Sequence, residues 1–166
     1  MKRLHERGFT LIEVMIVVAI IALLAAIAIP NVLRGRTTAN ESASIGNLRA
    51  LVSSLEMYRS VNNTYPLSAN WRADMYTNAT PDYGPPAYDV ALNALTAVGP
   101  YSYIYTGTAS TYTLNSVPGT PLTTGTRRFF ASEAGLLRHC NCADATCAAP
   151  ADWTAESTID ATASGC

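Results

Sequence analysis

The chain begins with a short polar stretch, MKRLHERG, and then runs apolar from Phe9 to Ile29, with Glu13 as the only charge inside the run and Pro30 at its end. Those twenty-one residues would make a helix of roughly 31 Å, close to the thickness of a bilayer's hydrocarbon core. Ile, Val, Ala and Leu dominate, and no Gly or Pro interrupts them, so a helix here satisfies its own backbone in lipid. Beyond Pro30 the pattern becomes amphipathic. Ile45, Leu48, Leu51, Val52, Leu55 and Tyr58 recur at spacings of three and four, with Arg49, Ser53, Glu56 and Arg59 between them. This predicts one apolar stripe on a helix that ends near Val61, where Asn62-Asn63-Thr64-Tyr65-Pro66 breaks it. A continuous helix from Phe9 to Val61 would be roughly 80 Å long. Pro30 removes one of its backbone hydrogen bonds and is expected to kink or weaken it.

Residues 62–166 suffice for one small core but not for two domains. Pro81, Gly84, Pro85 and Pro86 make Ser68 to Ala97 read as an extended loop, with a helical turn near Tyr88 to Ala97. Strand patterns follow at Tyr101 to Tyr105, Thr111 to Val117 and Arg128 to Ser132, and a fourth, shorter one at Leu136 to Arg138. Together they predict an α+β fold. A long N-terminal α-helix forms its spine, and the C-terminal half of that helix packs on an antiparallel sheet of three to four strands. The expected segments are residues 1–8, 9–30, 31–61 and 62–166. Nine tyrosines, several at strand positions, predict half-buried sheet faces with wet hydroxyls.

Charge orients this plan. Lys2, Arg3 and Arg7 all precede the apolar run, so the N-terminus is expected to stay cytoplasmic while the rest is exported. A cleaved secretory signal fits poorly: the run exceeds the usual apolar length, Ala25-Ala26-Ile27-Ala28 is only a loose cleavage match, and a discarded signal has no use for Glu13. A carboxylate in a lipid-spanning helix costs up to about 2.5–3.5 kcal/mol at mid-span and less near the interface, so its retention points to a partner.

Gly8-Phe9-Thr10-Leu11-Ile12-Glu13, the apolar run and Pro30 together resemble the N-terminal signature of type IV prepilins and the related pseudopilins. The resemblance is close over about the first thirty residues. It implies cleavage between Gly8 and Phe9 by an inner-membrane prepilin peptidase, and N-methylation of Phe9. The apolar run would then remain as membrane anchor and later as filament core. The resemblance also implies that Glu13 meets the new Phe9 amine of a neighbouring subunit during assembly. Pairing within its own helix is the alternative, since the two residues are four apart. In the family, the helix near Pro30 can melt as subunits pack.

Cys140, Cys142, Cys147 and Cys166 all lie at the C-terminal end. In an exported chain they are read as disulfides that staple a C-terminal loop poor in apolar residues. A Cys140–Cys142 bond is disfavoured by strain. Two patterns remain: Cys140–Cys147 with Cys142–Cys166, or Cys142–Cys147 with Cys140–Cys166. A four-cysteine zinc site is the rival, but paired C-x2-C knuckles are missing. The resemblance implies a C-terminal disulfide loop, although the family's usual pattern is a single pair.

Other chemistry is scarce. The only histidines are His5 and His139, and His139 beside Cys140 reads as an exposed residue rather than half of a catalytic pair. Asp74, Asp82 and Asp89 do not have calcium-loop spacing. Removing residues 1–8 leaves eight arginines and eleven acids, net −3, with no basic cluster for nucleic acid; Arg127-Arg128 reads as a solvated strand edge. Asn40, Asn62 and Asn78 head Asn-x-Ser/Thr triplets. No metal or cofactor is expected. The expected role is a non-enzymatic, self-assembling subunit of a type IV pilus-like filament for adhesion, motility or DNA uptake, whose partners are further copies of itself, the peptidase, an inner-membrane assembly platform and, before assembly, lipid. It would move from the bacterial inner membrane to an extracellular pilus or a periplasmic pseudopilus. The rivals are a type II secretion pseudopilin driving protein export and a membrane-anchored binding module.

Overall fold

The fold comes from a computed structural model that describes residues 9–142 and 144–147. One helix, α1 (Leu11–Asn62), takes up the first third of the chain and includes Pro30. It stops at Asn63, which adopts φ 58° and donates its N–H to the Arg59 carbonyl at 2.8 Å. Asparagine tolerates this left-handed conformation, so it serves as the C-terminal cap. The chain divides into two compact units, the first ending at Arg36 and the second beginning at Thr37.

Within the second unit, five strands follow in chain order: β1 (Thr96–Val98), β2 (Tyr101–Gly107), β3 (Tyr112–Pro118), β4 (Arg127–Ser132) and β5 (Leu137–Asn141). Every pairing is antiparallel and the spatial order equals the chain order, which makes an uninterrupted meander. Alternation decides what faces the helix. Tyr101, Tyr103 and Tyr105 on β2, Tyr112 and Leu114 on β3, and Phe129 and Ala131 on β4 are buried. They form one core with Leu48, Leu51 and Leu55 of α1, while Ile45, Val52 and Tyr58 pack at its margin. The three- and four-residue spacing on the helix thus meets the two-residue spacing on the strands.

The α+β architecture is as the sequence predicts, with three corrections. The sheet has five strands, because residues 96–98 form β1 where a helical turn was expected. Leu92 is buried, its carbonyl accepts the Tyr105 N–H at 2.7 Å, and Gly99-Pro100 turns the chain so that Val98 faces Tyr101. These tertiary bonds outweigh the helical bias of the alanines and leucines. The helical turns lie earlier instead, at Ser68–Asn70, Ala73–Thr77 and Pro86–Tyr88, within the stretch expected to be extended loop.

The tyrosine hydroxyls are the second correction. Those of Tyr101 and Tyr105 donate to the carbonyls of Arg127 and Pro66 at 2.9 and 2.7 Å, and that of Tyr103 donates to Ser44 Oγ at 3.3 Å. With partners inside the protein, the whole ring can be buried. This close fit leaves no room for a Cβ at Gly107 or Gly125, where it would collide with the hydroxyls of Tyr105 and Tyr101.

Third, β4 lies between β3 and β5, so Arg127 and Arg128 are not on a solvated edge. Arg127 pairs with Glu41, and half-buried Arg128 donates to the Cys147 carbonyl at 3.1 Å. His139 is likewise buried rather than exposed, because its register opposite Phe129 turns it to the core face.

Candidate assembly site on the N-terminal helix

Thr10 and Glu13 open α1 with a reciprocal cap. The Thr10 N–H and hydroxyl both donate to Glu13 Oε2, at 2.8 and 2.7 Å, and the Glu13 N–H donates to Thr10 Oγ1 at 3.3 Å. This is a capping box, and it was visible in the T-x-x-E spacing of Thr10-Leu11-Ile12-Glu13. The partner expected for the carboxylate is the Phe9 nitrogen. In the uncleaved chain that nitrogen is a peptide amide, and the carboxylate instead engages Thr10. Two needs are met together: orphan N–H groups at the helix start acquire an acceptor, and the acid acquires donors.

After this cap the helix is apolar on every side. Phe9 is 90% exposed, and Leu11, Ile21, Leu23 and Ile29 are all between 59% and 77% exposed. Among the described residues, α1 is the one helix long and apolar enough to cross a membrane, and none of its most apolar window is buried. Its side chains therefore need lipid or other protein around them. Pro30 offers no N–H for the Ala26 carbonyl, and the next residue adds a bond nearby: Asn31 Nδ2 donates to the Ile27 carbonyl at 3.1 Å.

The second unit holds its part of α1 through polar contacts first and apolar ones afterwards. Asn40, Glu41 and Ser44 reach the β3–β4 loop and the sheet, and Leu48, Leu51 and Leu55 follow in the core. Asn40, the first of the three Asn-x-Ser/Thr positions, uses its amide to donate to the Thr124 carbonyl at 2.8 Å. Asp89, one of the scattered acids, pairs with Arg72 at 2.7 Å on the surface.

Cys142 is bonded to Cys147, which selects the second of the two disulfide patterns over the first. Cys140 is also disulfide-bonded, while Cys166 and Gly8 lie outside the described residues. The bond removes two sulfurs from the rival zinc site, and no group of three metal-ligating side chains forms among the described residues. Asp144 closes the small loop by accepting from the Thr146 hydroxyl and N–H, at 2.6 and 2.8 Å, and from the Cys147 N–H at 3.1 Å. Those donors hold its carboxyl below the usual carboxylate range.

The comparisons with known proteins agree with this geometry. A family model described as the prokaryotic N-terminal methylation motif matches residues 3–29. The type II secretion system core protein G of Pseudomonas aeruginosa is 31% identical over 136 residues, covering 70% of this chain and 86% of that protein. The type IV wide pilus major component PilA4 of Thermus thermophilus is 51% identical over 61 residues, which is 37% of this chain and 47% of that protein. Core protein G of Klebsiella michiganensis is 38% identical over 66 residues, 40% of this chain and 46% of that protein. In those last two matches the chain spans about half the length of the curated relative. No solved structure matches.

Proposed function

Because the chain belongs to the type IV pilin and pseudopilin family, we propose that it is a prepilin, the structural subunit of a type IV pilus-like filament. One observation carries the reading: a membrane-length helix, apolar on all faces, continues without a linker into a helix that forms part of a folded domain. An enzyme on a membrane anchor has no need of that continuity, and the role is structural rather than catalytic.

Membership of that family supports the following steps. The basic leader holds the N-terminus in the cytoplasm, and the domain is exported. Prepilin peptidase cuts between Gly8 and Phe9, and Phe9 is then methylated. Cleavage turns the Phe9 amide into an ammonium beside the capping box. The Glu13 carboxylate then has a stronger donor to meet, on a neighbouring copy, than the neutral groups of Thr10. In a water-poor core that pair favours one register between copies. Pro30 gives the helix a place to bend or melt during packing. An inner-membrane platform draws each subunit from lipid into the filament, where the apolar face is buried against other copies.

Glu13→Ala tests this. The variant is expected to insert and be cleaved normally but to yield no filaments by electron microscopy of surface fractions. Normal filaments from Glu13→Ala would sink the assembly role.

A second reading, a type II secretion pseudopilin, is favoured by the long match to core protein G of Pseudomonas aeruginosa. Deleting the gene separates the two. Loss of surface filaments containing this chain's peptides supports the pilus, and loss of exported enzymes with no filament defect supports the secretion system.

A further inference from the structure

After Glu13, the next charge on α1 is Arg34, and Val14 to Leu33 between them carries none. As a helix that stretch is roughly 30 Å long, the hydrocarbon thickness of a typical bilayer. The exposed apolar surface reaches the same limit. It does not stop at Ile29, because Val32 and Leu33 are 68% and 57% exposed. Asn31 is the one polar side chain in the stretch, and its amide already donates to the Ile27 carbonyl at 3.1 Å. Exposed Arg34 and Arg36 follow, with Gly35 between them, and the second unit begins at Thr37.

Two ways of seating α1 in a bilayer therefore compete. A span from Phe9 to Ile29 puts Glu13 a full turn inside the hydrocarbon and leaves Val32 and Leu33 outside it. A span from Val14 to Leu33 puts Glu13 and its Thr10 cap at one interface and both arginines at the other. Phe9, Leu11 and Ile12 then lie at the headgroup boundary, where apolar side chains are still sheltered from water. A carboxylate inside hydrocarbon has no such shelter, so the second seating is favoured. Long arginine stems can lie along the apolar surface while their planar forks reach outward to phosphate oxygens. We propose that Arg34 and Arg36 bind lipid headgroup phosphates on the exported side and so fix the depth of α1, with Val14–Leu33 as the span. Lys2, Arg3 and Arg7 still outnumber these two arginines, so the orientation is unchanged. The proposal rests on reading α1 as a membrane span and is independent of which filament the subunit enters.

Nuclear magnetic resonance of the full chain tests it, in lipid nanodiscs of phosphatidylethanolamine and phosphatidylglycerol with a paramagnetic chelate on some headgroups. Amide broadening should peak over residues 10–13 and 34–36 and be weakest at Leu23 and Leu24, midway between Glu13 and Arg34. A minimum at Ala19, the middle of Phe9–Ile29, overturns the proposal while leaving the membrane reading in place. The absence of any depth profile along residues 9–36 overturns both. Arg34→Gln combined with Arg36→Gln should weaken the outer peak by about twofold and spare the inner one. Arg34→Lys combined with Arg36→Lys keeps the charge and should retain most of the outer peak. Both side chains are exposed, so the domain should fold in either variant. An outer peak unchanged by the glutamine pair removes the arginines' role.

Discussion

Glu13 and Glu41 lie on the same helix and are satisfied in opposite ways. Glu13 takes its donors from Thr10, three residues away, and Glu41 takes its donors from Thr126 and Arg127, about 85 residues away. A carboxylate held by its own helix turn can be released without disturbing the fold. One held by a distant loop can be released only by opening the domain. The same division runs along the whole of α1. The large apolar side chains of its first half are exposed among the described residues, and Leu48, Leu51 and Leu55 of its second half share one core with the sheet. The first half is therefore suited to exchanging partners, and the second to keeping them.

Alkali should break the comparison most completely. Burial raises the pKa of Tyr76, Tyr88, Tyr101, Tyr105 and Tyr112, all in the second unit. In the unfolded chain they titrate near the ordinary value of about 10. Above that pH the unfolded state has lost protons that the folded state keeps, so stability falls as pH rises. Below it, the contribution is fully present. Near-ultraviolet circular dichroism should show the domain's aromatic signal collapsing above about pH 10. Residues 9–36 contain no tyrosine, so their helical far-ultraviolet signal in micelles should survive.

A core truncation comes next. Leu51→Ala should destabilise the domain by about 2–5 kcal/mol in chemical denaturation, whereas Ile20→Ala should shift it by less than about 0.5 kcal/mol. An equal loss from both would erase the distinction between the halves. Gly125→Ala is expected to cost about 1–3 kcal/mol, because the new Cβ meets the Tyr101 hydroxyl; pairing it with Tyr101→Phe should recover part of the loss. The smallest effect is expected from Thr10→Val. It removes the cap, worth about 0.5–2 kcal/mol locally, and should speed amide exchange over residues 11–14 without moving the domain's melting temperature.

The sequence was most legible where its periodicity is long. The apolar run and the stripe from Ile45 to Tyr58 identify both halves of α1, and alternation at Tyr101 to Tyr105 places β2. Strand β1 was hidden because three residues carry too little pattern, and the preceding alanines and leucines favour a helix until Gly99-Pro100 turns the chain. The capping box at Thr10 and Glu13 was readable from spacing alone. The Glu41 pairing was not, since no local rule links a helix residue to a loop 85 positions later. Nor could spacing reveal that carbonyls from other segments would receive the tyrosine hydroxyls and let those rings be buried.

The nearest-neighbour order of the five strands also bears on delivery. A chain that emerges in sequence order presents the end of α1, then β1, then each later strand beside the one that has just arrived. No strand has to wait with an open edge for a distant partner, so little sticky backbone is displayed at any moment of synthesis or export. This ordering is a safeguard against premature aggregation, written in topology rather than in any single residue.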